Sequence, residues 1–147
     1  MAILDATLEF SDAQALTSIS SGSSSVSTNV ADLGADGKDG WGSAQKTNPG
    51  AGGNVYLNVE VQVAMSGASA ALDVQLVTKA ANASISAAGT LLASVRLPAV
   101  SAAGTSRSIA VPAGCDIERY LGVLYTASGA QLTSATINAW LGTHPVN

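Results

Sequence analysis

From Asn54 to Ser66 the chain alternates without a break, with Val55, Leu57, Val59, Val61, Val63 and Met65 on one parity and Tyr56, Asn58, Glu60, Gln62 and Ala64 on the other. A period of two suits only a pleated strand, because successive side chains leave it on opposite sides. The stretch therefore reads as a strand with one buried face. After Gly67-Ala68-Ser69-Ala70 a second run follows, with Leu72, Val74 and Leu76 on one face and Asp73, Gln75 and Lys79 mostly on the other. Two alternating runs across a short turn of small residues predict a β-hairpin. We take that hairpin as the centre of an antiparallel sheet.

The rest of the chain breaks into further short apolar runs. Leu4 to Asp12, with Leu8 and Phe10 alternating with Thr7 and Glu9, reads as a first strand ending in the turn-prone Ser11-Asp12. Ala13 to Ile19 reads as a second strand or an extended arm. Ser20 to Ser25 is flexible by composition. Thr28 to Leu33 resumes strand character. Thr90 to Leu97 places Leu91, Ala93, Val95 and Leu97 on one face, before Pro98. Arg107 to Val111 stops at Pro112, Arg119 to Ala127 buries Leu121, Val123 and Tyr125, and Gln131 to Leu141 closes the domain with Ile137, Trp140 and Leu141. No segment has a convincing helical period, and Ala80 to Gly89 reads as a loop. About eight short strands separated by turn signals predict an all-β, single-domain antiparallel β-sandwich spanning residues 1–147, a jelly roll or related Greek key. An N-terminal arm (about 1–12) precedes it. A long Gly/Asp-rich loop (about 34–53) with the isolated Trp41 interrupts it, and loops of this length are usually functional or clamped by a partner.

Composition narrows the function classes. Charged residues are only 11% of the chain, against about a quarter in typical soluble domains. A surface so poor in charge fits an exterior partly covered by neighbours. The net charge of −4 and the scattered Lys38, Lys46, Lys79, Arg96, Arg107 and Arg119 argue against a nucleic-acid partner, which needs clustered cations. No window approaches the ~18 uninterrupted apolar residues of a membrane span, so no membrane partner is expected. The first residues lack the pattern of a signal peptide. Cys115 is the single cysteine, which precludes an internal disulfide. Synthesis and folding in a cytoplasm are expected, and Asn82-Ala83-Ser84 is then a chance match to a glycosylation triplet.

Residues able to carry chemistry are few. His144 is the single histidine, close to the C-terminal end and beside Pro145, a poor place for a triad member. Without a nearby base, Cys115 reads as a partly buried, inert thiol. Asp32, Asp36 and Asp39 lie close enough to suggest a hard cation. Their spacing departs from the EF-hand loop, and Asp-Gly pairs form turns without metal. An ordinary acidic loop is the expectation, with no catalytic residue, cofactor or metal. The outward face of the central strand, Tyr56, Asn58, Glu60 and Gln62, resembles a carbohydrate-binding groove only thinly, with one aromatic ring.

Three stretches are similar to those of the capsid cement, or decoration, proteins of short-tailed bacteriophages. Leu8 to Gln14 matches that family's Leu-x-Phe-Ser-Asp-Ala-Gln, Ser27 to Gly34 its Ser-Thr-Asn-Val-x-Asp-Leu-Gly, and Arg119 to Tyr125 its Arg-Tyr-Leu-x-x-x-Tyr. The resemblance implies a jelly-roll-like sandwich on the outer surface of an icosahedral capsid, bridging capsomers against internal DNA pressure. The implied partners are the major capsid protein and the chain itself, as a homodimer or a trimer. On this reading Ile3, Leu4, Leu8 and Phe10 of the arm and Trp41 of the long loop supply capsid or subunit contacts. Deleting Met1 to Asp12 is then expected to weaken attachment and leave a folded sandwich. An exposed strand edge is expected to pair across a dimer two-fold. The alternative is a carbohydrate- or receptor-binding β-sandwich of a phage tail or fibre.

Overall fold

A computed structural model describes residues 8–33, 37–38, 44–45, 55–80, 85–86, 89–112, 115 and 117–146. They form β1 (Glu9–Ile19), β2 (Ser24–Val26), β3 (Ala31–Asp32), β4 (Gly37–Lys38), β5 (Ala44–Gln45), β6 (Tyr56–Ser66), β7 (Ala71–Lys79), β8 (Thr90–Leu97), β9 (Ser106–Ala110), β10 (Tyr120–Ser128) and β11 (Leu132–Gly142). One sheet has the order β1-β11-β6-β9 and the other β2-β10-β7-β8, with β3 also on β10 and β4 paired with β5 alone. All pairings are antiparallel.

The pairing is nested. β7 pairs with β8, β6 with β9, β2 with β10 and β1 with β11. A chain folded back on itself about the β7–β8 turn and then rolled up gives this order, which is the jelly roll expected from the strand count. Inward positions of both sheets supply one core, including Phe10, Leu57, Val59, Val61, Leu72, Val74, Leu76, Leu121, Val123, Tyr125, Ile137 and Leu141. At roughly 25 cal/mol per Å² of apolar area removed from water, this shared interior is the main term holding the two sheets together.

The central hairpin is not formed. β6 bonds to β11 and β9 and β7 bonds to β10 and β8, so the two consecutive strands lie in opposite sheets. Alternation fixes which face of a strand is apolar and says nothing about its neighbour. In a hairpin the two apolar faces would sit side by side, both still needing a cover. Across the sandwich they cover each other. Residues 67–70 make the crossing, and Gly67 (φ 135°) is required there: a Cβ on it would lie 2.5 Å from the carbonyl oxygen of Gln131.

Bulges shift three other expectations. β6 advances from Val61 to Ser66 while β11 covers only Ile137 to Ser134, through two register shifts. This turns Val63 outward, 56% exposed, before Met65 points in again. A shift opposite Leu76/Val77 leaves Leu92 on the core side and turns Leu91 outward, 52% exposed. On β1, Ser11-Asp12 does not end the strand; shifts between Glu9/Ser11 and Ser11/Gln14 make a bulge with Ala13 at φ 46°, and the strand runs on to Ile19. Ser24 to Ser25, expected to be flexible, pair with β10. Within Thr28 to Leu33 only Ala31–Asp32 form a strand.

Candidate interaction surface

The three stretches that carry the family resemblance meet in space. Phe10 is fully buried in the core. Tyr125 Oη donates to Ser11 Oγ (2.7 Å), which donates to Gln14 Oε1 (2.5 Å). Gln14 Nε2 donates to the carbonyl of Val26 (2.9 Å), and its Oε1 also accepts from the Thr28 amide (2.9 Å). Ser27 Oγ accepts from the amide of Val123 (3.0 Å) and donates to the carbonyl of Asn29 (2.8 Å). The Asn29 amide closes back on the Phe10 carbonyl (2.9 Å), and Asn29 Nδ2 donates to the Glu9 carbonyl (3.2 Å). The bulge exposes the Ala13 amide, which donates to Asn138 Oδ1 (2.6 Å). These residues are a clasp across the β1–β2 side of the sandwich. Their identities answer to hydrogen-bond satisfaction of buried or bulged backbone, which periodicity does not reveal.

Arg119 closes the outer end of the clasp. Its Nε and Nη2 bond both oxygens of Asp32 at 2.8 Å, and its guanidinium lies 4.9 Å from the Tyr120 ring centroid. The hydrogen bond to Asp32 raises the guanidinium pKa, opposed in part by desolvation. Burial pushes the Tyr125 phenol well above its ordinary range, opposed in part by the Ser11 hydrogen bond.

A second clasp holds the segment after β11. Asn58 is 1% exposed, in contrast to its expected place on an open face. Its Nδ2 donates to the His144 carbonyl (3.0 Å), and its Oδ1 accepts from Ser108 Oγ (2.7 Å) and the Val146 amide (3.3 Å). Ser108 Oγ also meets the Val146 amide (2.8 Å). Residues 143–146 thus cover the middle of the proposed groove. Tyr56 and Glu60 stay half-buried and only Gln62 is exposed.

The expected contact residues separate. Phe10 is a core residue and unavailable to a capsid, because its strand turns it into the sandwich. Leu8 is half-buried against the same core. Ile3, Leu4 and Trp41 lie outside the described residues, as do Asp36 and Asp39 of the acidic loop. Asp32 is bound to Arg119. Cys115 is half-buried against the core and the His144 ring contacts Thr143 Oγ1 at 3.0 Å. Among the described residues no three His, Cys, Asp or Glu side chains are grouped to hold a metal, and no helix is long and apolar enough to cross a membrane.

Among the described residues, the large apolar side chains left exposed are Val63, Leu91, Val100 and Val26. The outside of the β2-β10-β7-β8 sheet also carries a small covered cluster of Val77, Ile85 and Leu124, with Val30 and Tyr120 beside it. Gly122 makes the seat for Ile85, since a Cβ there would fall 2.6 Å from Ile85 Cγ2. Neither the outward apolar residues on β6 and β8 nor this cluster was legible in the sequence, because bulges and a loop contact create them. The family model of Bbp16 matches residues 10–141, from the first core residue of β1 to the last of β11. No curated protein matches the chain.

Proposed function

The chain belongs to the Bbp16 family, a phage-associated family, and on that footing we propose that it is a structural virion protein which binds the outer surface of an icosahedral capsid and cements neighbouring capsomers. The observation that carries this reading is the family match over the whole sandwich. The resemblance to cement proteins supports it, since its three motifs converge on one clasp. The low charge content supports a largely covered exterior.

The role needs no catalysis, cofactor or metal. Each copy buries of order several hundred Å² against the shell and a sister subunit, the scale of a specific interface. Binding the assembled lattice and not free subunits shifts the equilibrium toward the intact shell by mass action. A few kcal/mol per copy, repeated over a lattice, then opposes the pressure of packed DNA. The partners on this reading are the major capsid protein and a second copy of the chain.

The first test is copy number: a ratio to major capsid protein near one, or a simple fraction of it, in purified virions supports lattice-wide cement. A few copies per particle overturns it in favour of a tail or fibre module. The arm is tested by deleting residues 1–7, which removes Ile3 and Leu4 and spares Phe10. Reduced occupancy on shells supports the arm as a contact; full occupancy removes it. The wider deletion through Asp12 tests something else, because it takes Phe10 and Ser11 out of the core and clasp.

A further inference from the structure

The outer face of the β1-β11-β6-β9 sheet carries a built polar site that the proposed function does not use. Asn58 of β6 stands directly opposite Trp140 of β11 on one side and Ser108 of β9 on the other, so the three share that face. Tyr56, two residues before Asn58 in a regular part of the strand, shares it as well. Asn58 is 1% exposed although its face points away from the core, because residues 143–146 lie over it. Gly142 permits this close approach. A Cβ there would fall 2.9 Å from Asn58 Nδ2, 3.6 Å from Trp140 Nε1 and 3.7 Å from the His144 carbonyl oxygen. Indole, side-chain amide and the covering segment converge at that point.

What the site holds is main chain. Asn58 Nδ2 donates to the His144 carbonyl (3.0 Å), and Oδ1 accepts from the Val146 amide (3.3 Å). Ser108 Oγ accepts from the same amide (2.8 Å) and has its single proton to give to Asn58 Oδ1 (2.7 Å) or to the Val146 carbonyl (3.1 Å). Between the two held residues stands Pro145, which has no N–H to satisfy and which biases the residue before it toward extended backbone. The geometry points to a peptide-binding site: Asn58 and Ser108 take an extended X-Pro-X segment of a partner protein by its main chain, and residues 143–146 are a strap that fills the site until such a segment displaces it. Carbonyls and amides are offered by every chain, so these bonds do not depend on the strap's own side chains. Thr143, His144 and Pro145 are exposed, so the strap buries little apolar area and is held chiefly by polar contacts. A short exposed element of this kind opens locally at a small part of the cost of global unfolding. A buried side-chain amide then needs a new partner. A proline at the centre favours the incoming segment, since its fixed φ lowers the entropy lost on binding. The site is separate from the capsid role and stands without it.

The test uses the full chain and the end-blocked peptide Thr-His-Pro-Val. Val146→Pro removes the amide that Asn58 and Ser108 hold, which opens the site without shortening the chain. Adding the peptide to this variant is expected to shift the amide resonances of β6 and β9 saturably. The apparent affinity is expected to be about tenfold or more above that of wild type, whose own strap competes. Asn58→Ala in the Val146→Pro background abolishes the shifts, and Thr-His-Ala-Val binds several-fold more weakly than Thr-His-Pro-Val. Wild type supplies a reading that does not depend on the variant folding: excess peptide speeds hydrogen exchange at the Val146 amide several-fold and leaves the amides of β6 protected. No saturable shift in a folded Val146→Pro chain, equal affinity of that chain and wild type, binding that survives Asn58→Ala, or Val146 exchange indifferent to the peptide each overturns the inference. Equal binding of Thr-His-Ala-Val overturns the assignment of an X-Pro-X segment as the ligand.

Discussion

The phenol of Tyr125 on β10 donates a buried hydrogen bond to Ser11 on β1, 2.7 Å apart and 114 positions distant in the chain. It joins the two sheets through the interior by a polar contact, and Gln14 extends it to the β2 region. Because Ser11 has a second partner and Tyr125 Oη has this one, the two ends of the bond are unequal.

Tyr125→Phe is expected to cost about 1 kcal/mol, the net worth of one hydrogen bond, since Ser11 keeps Gln14. Ser11→Ala strands a buried phenol oxygen and is expected to cost more, about 1–3 kcal/mol. Urea denaturation of both variants checks the order; Tyr125→Phe as the worse of the two contradicts the geometry.

Alkaline stability follows from the same residue. An unfolded tyrosine ionises near its ordinary value of about 10, whereas burial raises the native Tyr125 above that. Below pH about 10 both states hold the proton and the contribution is complete. Above it the unfolded state loses the proton first, so stability falls as pH rises toward the native value. The gap between wild type and Tyr125→Phe, measured as denaturation midpoints from pH 8 to 11, is expected to close at the alkaline end. A constant gap is inconsistent with a buried, protonated phenol.

Gly122 and Ile85 are expected to be coupled. Gly122→Ala drives a methyl to 2.6 Å from Ile85 Cγ2 and is expected to cost about 1–3 kcal/mol by overpacking. In an Ile85→Ala background the obstruction is gone and the same substitution costs much less. The non-additivity of the double-mutant cycle, about 1 kcal/mol or more, measures the seat. Strict additivity excludes it.

Asn58 and Ser108 are expected to hold residues 143–146. Replacing either by Ala removes a bond to the Val146 amide and is expected to speed its hydrogen exchange several-fold, leaving the amides of β6 and β11 protected. Slow exchange at Val146 in both variants shows that the segment is held by other means.

Sequence by itself determined the fold class, because alternation such as Leu57-Asn58-Val59-Glu60-Val61 is a one-dimensional record of which face is dry. It also placed Leu121, Val123 and Tyr125 inward and put strand limits at Pro98 and Pro112. Its motif residues pointed to a family, though what Ser11, Gln14 and Ser27 do there is bond across the clasp. Only the tertiary structure decided which strands are neighbours. Val59 and Leu72 read alike as buried, and whether their strands lie side by side or face to face depends on Gly67 passing beneath Gln131 and on pairings with β10 and β11 far along the chain. Bulges are equally hidden, since one extra residue on β6 or β8 shows only against the partner strand. That is why Val63 and Leu91 read as core and stand in water. Phe10 shows the reverse: it reads as a surface contact on an arm, and its strand carries it into the centre of the sandwich.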